Sequence, residues 1–377
     1  MRRLALLAGI LLAGACAPAR VEVRPSGPAP EARREAVLTF NRSLEYLSGA
    51  RANYFEAVKL LQRAVELDPE LAEAHFTLAL LSERGSDFAR SEAEYRAVLR
   101  LRPGDRPASL NLSALYLRLG RHDEARRILE ELLDKNPTDH EARNNLAVIL
   151  RVRRDYERAI EQARIVLDHE PRQVLAYNNL ATIFSEQGRH AMAEDLFQRA
   201  LTLSPDDPRV LNNLGLARLK ASKIQEALEL FQRAASRKPY LEEAVLNEAV
   251  VHLDSGDFAG AAAAFRQAAE RIPGLLPALV GQAVAARQMG EVENAEKSYQ
   301  QILGLDRTHP ESLFNLGILY MQYRQKPAWA CEAFQRYLDS GRTEPELVQR
   351  VRGYLDDLRL KHPKDCPGAG NAPGGSK

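Results

Sequence analysis

The residue type whose spacing could do chemistry here is asparagine. Asn144 and Asn145, Asn178 and Asn179, and Asn212 and Asn213 are adjacent pairs, each pair 34 residues after the last. They sit in stretches of helical periodicity, where asparagine is a poor choice. A carboxamide carries one acceptor and two donors, the complement of a peptide C=O and N–H, so a row at equal steps can hold an extended backbone whatever its side chains. Other chemistry is scarce. The eight histidines form no ligand spacing with cysteine or acid, and most lie near turns as solvated surface residues. There is no Gly-rich phosphate loop, nucleophile elbow or H-E-x-x-H, and carboxylate pairs such as Glu130–Glu131 and Asp356–Asp357 stand near arginines on helix surfaces. The reading is therefore of no catalytic residue, no metal, no cofactor and no small-molecule substrate. With 52 basic against 51 acidic residues, no net field favours nucleic acid or an anionic membrane.

Cysteine 16 is the other reactive candidate. The start, MRRLALLAGILLAGACAPAR, places Arg2 and Arg3 before an apolar run from Leu4 to Leu12 that is too short to span a bilayer. Residues 1–15 are read as a signal peptide. The stretch LAGAC resembles the lipobox of bacterial lipoproteins, although Ala13 stands where the leucine usually does. The resemblance implies that Cys16 is diacylated and becomes the mature N-terminus, anchored by about 0.8 kcal/mol per buried methylene. Cleavage at Ala13-Gly14-Ala15, releasing a soluble periplasmic protein, is the alternative. Ala17, where an inner-membrane retention signal has aspartate, favours the outer membrane, facing the periplasm. Residues 16–35 are expected to form the lipidated end and an extended, Pro-rich tether.

The elements that position the asparagines follow from prolines at 69, 103, 137, 171, 205, 239 and 273, all 34 apart. Ten residues after each is a small residue, from Ala79 to Ala283; 22 after is another, from Ser91 to Ala295; and four further on Tyr95, Phe197, Phe231, Phe265 and Tyr299 supply bulk. Two helical stretches lie between successive prolines, split by turns such as LGRHDEA and QGRHAMA, and the proline ends the second because it lacks an N–H. A 34-residue helix-turn-helix unit of this kind resembles the tetratricopeptide repeat. The resemblance implies an all-α fold, an α-solenoid or superhelix of about nine repeats over 36–343, with a concave groove. A capping helix over 344–362, with Thr343 as N-cap, covers the last apolar face. The tail, 363–377, is expected to be disordered. Cys331 and Cys366 remain as an even pair, and a disulfide tying down the tail is one of two open readings.

At 100° per residue, the positions opposite the apolar side of each first helix line the groove. Eight residues after each proline place come Thr77, Asn111, Asn145, Asn179, Asn213, Asn247, Gly281 and Asn315, and eleven after come residues including Val148, Thr182 and Leu216. The first asparagines of the pairs, Asn144, Asn178 and Asn212, are confined to the middle three units, which makes those units the first place to expect a partner. This ladder resembles that in the repeat superhelix of O-linked N-acetylglucosamine transferases, although no glycosyltransferase domain follows. The competing account is inherited repeat consensus, bonding between neighbouring helices. The carboxylate clamp of cytosolic co-chaperones is disfavoured, since four residues after each proline place the chain has Glu73, Pro107, Glu141, Leu175, Arg209, Glu243, Pro277 and Glu311. The expected function is a non-enzymatic scaffold whose partners are envelope proteins. Repeat lipoproteins of this kind are similar to those of gliding-motility and type IV pilus machinery; the number of units favours gliding motility. A soluble periplasmic adaptor for cell-wall enzymes is the alternative.

Overall fold

The structure is a computed structural model that describes residues 31–47, 53–237, 241–272, 274–341 and 345–366. The expected leader, Cys16, most of the tether, Thr343 and the tail beyond 366 lie outside the described residues. No helix among the described residues is long and apolar enough to cross a membrane.

Two compact units divide the described chain at Ser204 and Pro205. The first holds five helical hairpins: α1 (Glu31–Leu47) with α2 (Tyr54–Leu67), α3 (Ala72–Arg84) with α4 (Phe88–Leu101), α5 (Arg106–Arg118) with α6 (His122–Lys135), α7 (His140–Val152) with α8 (Tyr156–His169), and α9 (Val174–Glu186) with α10 (His190–Leu203). The second holds four more: α11 (Pro208–Lys220) with α12 (Ile224–Ala235), α13 (Glu242–Asp254) with α14 (Phe258–Arg271), α15 (Leu276–Gln288) with α16 (Val292–Leu305), and α17 (Pro310–Gln322) with α18 (Pro327–Asp339). A single helix, α19 (Pro345–Lys361), packs on α18 and closes it. Within each unit successive hairpins stack in chain order, the all-α solenoid arrangement.

Local chemistry explains the repeat. Asp87, Asp105, Asp139, Asp155, Asp207 and Asp257 cap helix starts by accepting a backbone N–H three residues on. Between the helices of a hairpin one turn residue adopts a positive φ. Gly120, Gly188, Gly256 and Gly290 fill that place, and Ser86, Arg154 and Ser222 adopt φ of 61–63° in the same register. The residues before proline leave the helical region, as the proline ring favours: Asp68 is extended, and Asn136 and Ser204 lie close by at ψ of 80° and 89°. Asp306 is extended too, although Arg307 takes the proline place, so the stack maintains the bend there.

Helix approach rests on the small residues. Ala79, Ala125, Ala147, Ala159 and Ala181 have no exposed surface, and the rings of Tyr95, Phe197, Phe231, Phe265, Tyr299 and Phe334 are at most 1% exposed. A Cβ added at Gly215 would lie 2.7 Å from the Phe231 ring, so the helix backbone packs directly on the aromatic.

Both ends differ from the sequence expectation. The tether was expected to run to residue 35, but α1 begins at Glu31 because Ala36, Val37 and Phe40 bury against α2, where Leu61 and Ala64 are fully covered. At the other end Val351, Leu355 and Leu358 of α19 are buried, and Tyr354 stacks on Phe334 at 5.5 Å. The tail expected to be loose from 363 is held as far as Cys366, which is bonded to Cys331 with a Cα–Cα distance of 5.8 Å and is 2% exposed.

Candidate interaction groove

The asparagines lie on the first helices of the hairpins: Asn111 on α5, Asn144 and Asn145 on α7, and Asn178 and Asn179 on α9 in the first unit. Asn212 and Asn213 on α11, Asn247 on α13 and Asn315 on α17 belong to the second. None is more than 9% exposed, and Asn212 is completely covered. They are set into the stack rather than standing proud of it.

Their partners follow a rule. The Asn179 side-chain N–H2 donates to the Asn144 carbonyl at 3.3 Å and to its Oδ1 at 3.4 Å. In the second unit Asn247 Nδ2 donates to Asn212 Oδ1 at 2.9 Å, and Asn212 Nδ2 in turn to Asn213 Oδ1 at 3.4 Å. In both cases the second asparagine position of one repeat donates to the first asparagine position of the repeat before, 35 residues back. Where the earlier position is apolar, the bond is lost. Phe76 stands 35 residues before Asn111 and Leu110 stands 35 before Asn145, and the Nδ2 atoms of Asn111 and Asn145 are buried without a hydrogen-bond partner. Val280 stands 35 before Asn315, which turns to its own helix and donates to the Glu311 carbonyl at 2.9 Å. The paired asparagines therefore serve as acceptor and donor between neighbouring repeats. The middle repeats, where they are concentrated, are those in which the carboxamides already bond one another. The two unspent donors belong to Asn111 and Asn145. An unsatisfied buried donor carries a penalty of about 1–3 kcal/mol.

The ladder's break at Gly281 also has a steric reason. A Cβ there would lie 2.3 Å from the Phe265 ring, which leaves no room for asparagine. Beside the ladder, Val148 is 8% exposed, Thr182 bonds its hydroxyl to the Asn178 carbonyl one turn back at 2.8 Å, and Leu216 is half-buried.

Charges along the first helices of the first unit are paired between repeats. Arg118 meets Glu83 at 2.7 Å, and Arg151, 7% exposed, meets Glu186 at 2.5 Å. Arg106 bridges Asp139 and Glu141 at 2.7 and 2.5 Å. Burial pushes the Asp139 carboxyl up, but Arg106 and the Ala142 N–H outweigh it and hold it below the usual range. Arg209, the one cation among the positions a carboxylate clamp would use, is bound to Asp207 at 2.7 Å. The ion pairs of Arg106, Arg118 and Arg151, set by residues about one repeat apart, were not singled out from the sequence. Among the described residues no group of three His, Cys, Asp or Glu side chains is placed to hold a metal. His140 and His169 lie with ring centroids 5.6 Å apart, and Glu170 is 3.6 Å from His140.

Family models described as tetratricopeptide repeat match residues 49–106, 80–149, 138–206, 172–239, 212–275 and 280–345. No curated protein is similar enough to match the chain. Among solved structures, MamA 41-end from Desulfovibrio magneticus RS-1 is similar at 22% identity over 45% of this chain and 96% of that one, with a TM-score of 0.41. PilW, described as a widely conserved type IV pilus biogenesis factor, is similar at 19% identity over 60% of this chain and 95% of that one, with a TM-score of 0.43. Yeast Tom70 is similar at 17% identity over 88% of this chain and 90% of that one, with a TM-score of 0.45.

Proposed function

The chain belongs to the tetratricopeptide repeat family, a protein-interaction module, and from that premise we propose that it is a non-enzymatic scaffold of a bacterial cell envelope. In this reading Cys16 carries the lipid anchor, the mature protein sits on the outer membrane facing the periplasm, and its partners are other envelope proteins. Gliding motility is the first machine to consider and type IV pilus assembly the second. The observation that carries the reading is nine helical hairpins among the described residues, five in one unit and four in the other, behind a short apolar leader that ends in cysteine. The Cys331–Cys366 bond supports an oxidising compartment. The alternative, a soluble periplasmic adaptor for cell-wall enzymes, shares everything but the lipid.

The partner's main chain is read at Asn111 and Asn145, the two rungs whose donors are unspent. Both donors are buried in the free protein, so an extended segment gains these two hydrogen bonds only as the Asn111 and Asn145 carboxamides turn outward to meet its carbonyls.

Two measurements test this. Cys16→Ser should move the protein from the detergent phase to the aqueous phase and abolish palmitate labelling; unchanged partitioning would remove the anchor. Cross-linked envelopes should yield motility or secretin components on pull-down, with recovery weakened by Asn111→Ala/Asn145→Ala and much less by Asn179→Ala. Recovery of cytoplasmic proteins alone would sink the envelope reading, and equal effects of the two sets of variants would sink the assignment of the rungs.

A further inference from the structure

The second unit carries a niche that two other hairpins, those of Tyr116 and Tyr320, fill and this one leaves open. In the first unit Tyr116 of α5 is 1% exposed; its hydroxyl donates to Glu92 of α4 at 3.1 Å. The Arg121 guanidinium covers the ring at 4.5 Å and bonds Glu92 at 2.6 Å. Six intervals of 34 later Tyr320 of α17 repeats the arrangement, donating to Glu296 at 3.1 Å while Arg324 bonds Glu296 at 3.0 Å. One phenol, one carboxylate and one guanidinium thus seal the seam between neighbouring hairpins at both places.

At α15 the same register holds Ala286 in place of the tyrosine, Ala262 in place of the glutamate and Glu291 in place of the arginine. All three changes remove what seals the seam, and a hollow of about 470 Å³ opens between α14, α15 and α16. It is lined by the buried Ala286, the half-buried Ala262 and the exposed Ala259, Arg266 and Lys297. Both cations are exposed, and neither has an ion-pair partner among the described residues. Glu291, also lining the hollow, accepts from Asn294 at 3.0 Å. The ring and the carboxylate are missing, while positive charge remains.

We infer that this hollow is a docking site for an aromatic side chain, tyrosine or phenylalanine, flanked by acidic residues in an exposed segment of a partner protein. The ring replaces the one that Ala286 lacks, and the flanking carboxylates meet Arg266 and Lys297 as Glu92 meets Arg121. A buried aromatic ring and a matched charge are the usual anchors of a small interface. Residues 1–30 and 367–377 contain no Phe, Tyr or Trp, so neither stretch supplies the ring. The site goes beyond the asparagine groove: Ala286 lies about 200° around α15 from Val284, the groove position, so the two face nearly opposite ways.

The test is fluorescence anisotropy of the fluorescein-labelled peptide Gly-Ser-Glu-Tyr-Glu-Ser-Gly with the full chain. Saturable binding is expected, weakened about tenfold or more by Ala286→Tyr, which refills the niche from within, and by replacing the peptide tyrosine with alanine. Lys297→Glu, an exposed change that does not touch the core, should weaken the acidic peptide and favour one with lysines in place of the glutamates. Absence of saturable binding, or binding indifferent to both Ala286→Tyr and Lys297→Glu, overturns the inference. Binding lost in Asn111→Ala/Asn145→Ala but kept in Ala286→Tyr also overturns it, since the peptide would then occupy the groove.

Discussion

Replacing Asn247 by alanine isolates what a bonded rung contributes. Asn247 is 1% exposed and Asn212, which accepts its side-chain N–H at 2.9 Å, is not exposed at all, so water cannot take over the bond. Leaving the Asn212 oxygen unpaired costs about 1–3 kcal/mol, and the better helix propensity of alanine returns about 0.6 kcal/mol. The expected net loss is about 1–2 kcal/mol. It should appear where α11 meets α13, because in a repeat array stability is roughly a sum of repeat and neighbour-interface contributions. Urea unfolding followed by circular dichroism measures the total, and hydrogen exchange of the α13 amides locates it. Asn315→Ala is the control, since its side chain bonds only the carbonyl one turn back on its own helix, and a change within about 0.5 kcal/mol is expected. A double-mutant cycle over Asn212 and Asn247 should return a coupling of about 1 kcal/mol. If Asn247→Ala and Asn315→Ala are indistinguishable, or the cycle shows no coupling, the rungs do not tie repeats together and the reasoning fails.

Other outcomes follow from single features. Cys331 and Cys366 are 35 residues apart, so loop-closure entropy puts reduction or Cys366→Ser at up to about 3.8 kcal/mol, confined to the last hairpin and α19. Faster exchange of the α19 amides in reductant checks it, and unchanged protection counts against it. Gly281→Asn restores the missing rung in sequence, yet its Cβ meets the Phe265 ring at 2.3 Å, so a loss of about 1–3 kcal/mol is expected from overpacking. A melting temperature equal to or above that of the parent would contradict this. Burial alone would lower the His75 pKa, but Glu94 at 2.5 Å and the Pro69 carbonyl at 3.0 Å outweigh it and hold the imidazole above 6.5. Its contribution to stability is therefore complete below pH 6.5 and fades as pH rises through the raised value. His75→Gln should flatten that part of the stability profile, and an NMR titration placing the midpoint at or below 6.5 would refute the sign.

Much of the architecture is legible without coordinates because the information is local. Each 34-residue unit contains its own two amphipathic stretches, its turn residue and its terminating proline, and touches mainly its neighbours. The small and aromatic positions read from the spacing, such as Ala147, Ala159 and Phe197, are those that structure buries. The hairpins, their order and the closing helix follow from that pattern. The ends were less legible. The start of α1 at Glu31 depends on the burial of Phe40 against α2, and the hold on Cys366 depends on a residue one hairpin away.

The candidate site divides differently. The sequence by itself determined that carboxamides recur on one side of the first helices, since that is a matter of interval and helical angle. Which of them are spent was decided between helices. Asn179 and Asn247 donate because Asn144 and Asn212 stand 35 residues before them, while Asn111 and Asn145 face Phe76 and Leu110 positions and keep an unused donor. Gly281 interrupts the series because the Phe265 ring, on a different helix, occupies the space. The hollow at Ala286 lies where residues of two neighbouring hairpins, Ala262, Ala286 and Glu291, meet. A repeat read alone shows which side chain stands at each position; only stacking sets what stands opposite it, and a hydrogen bond, a clash or a cavity is a property of the pair.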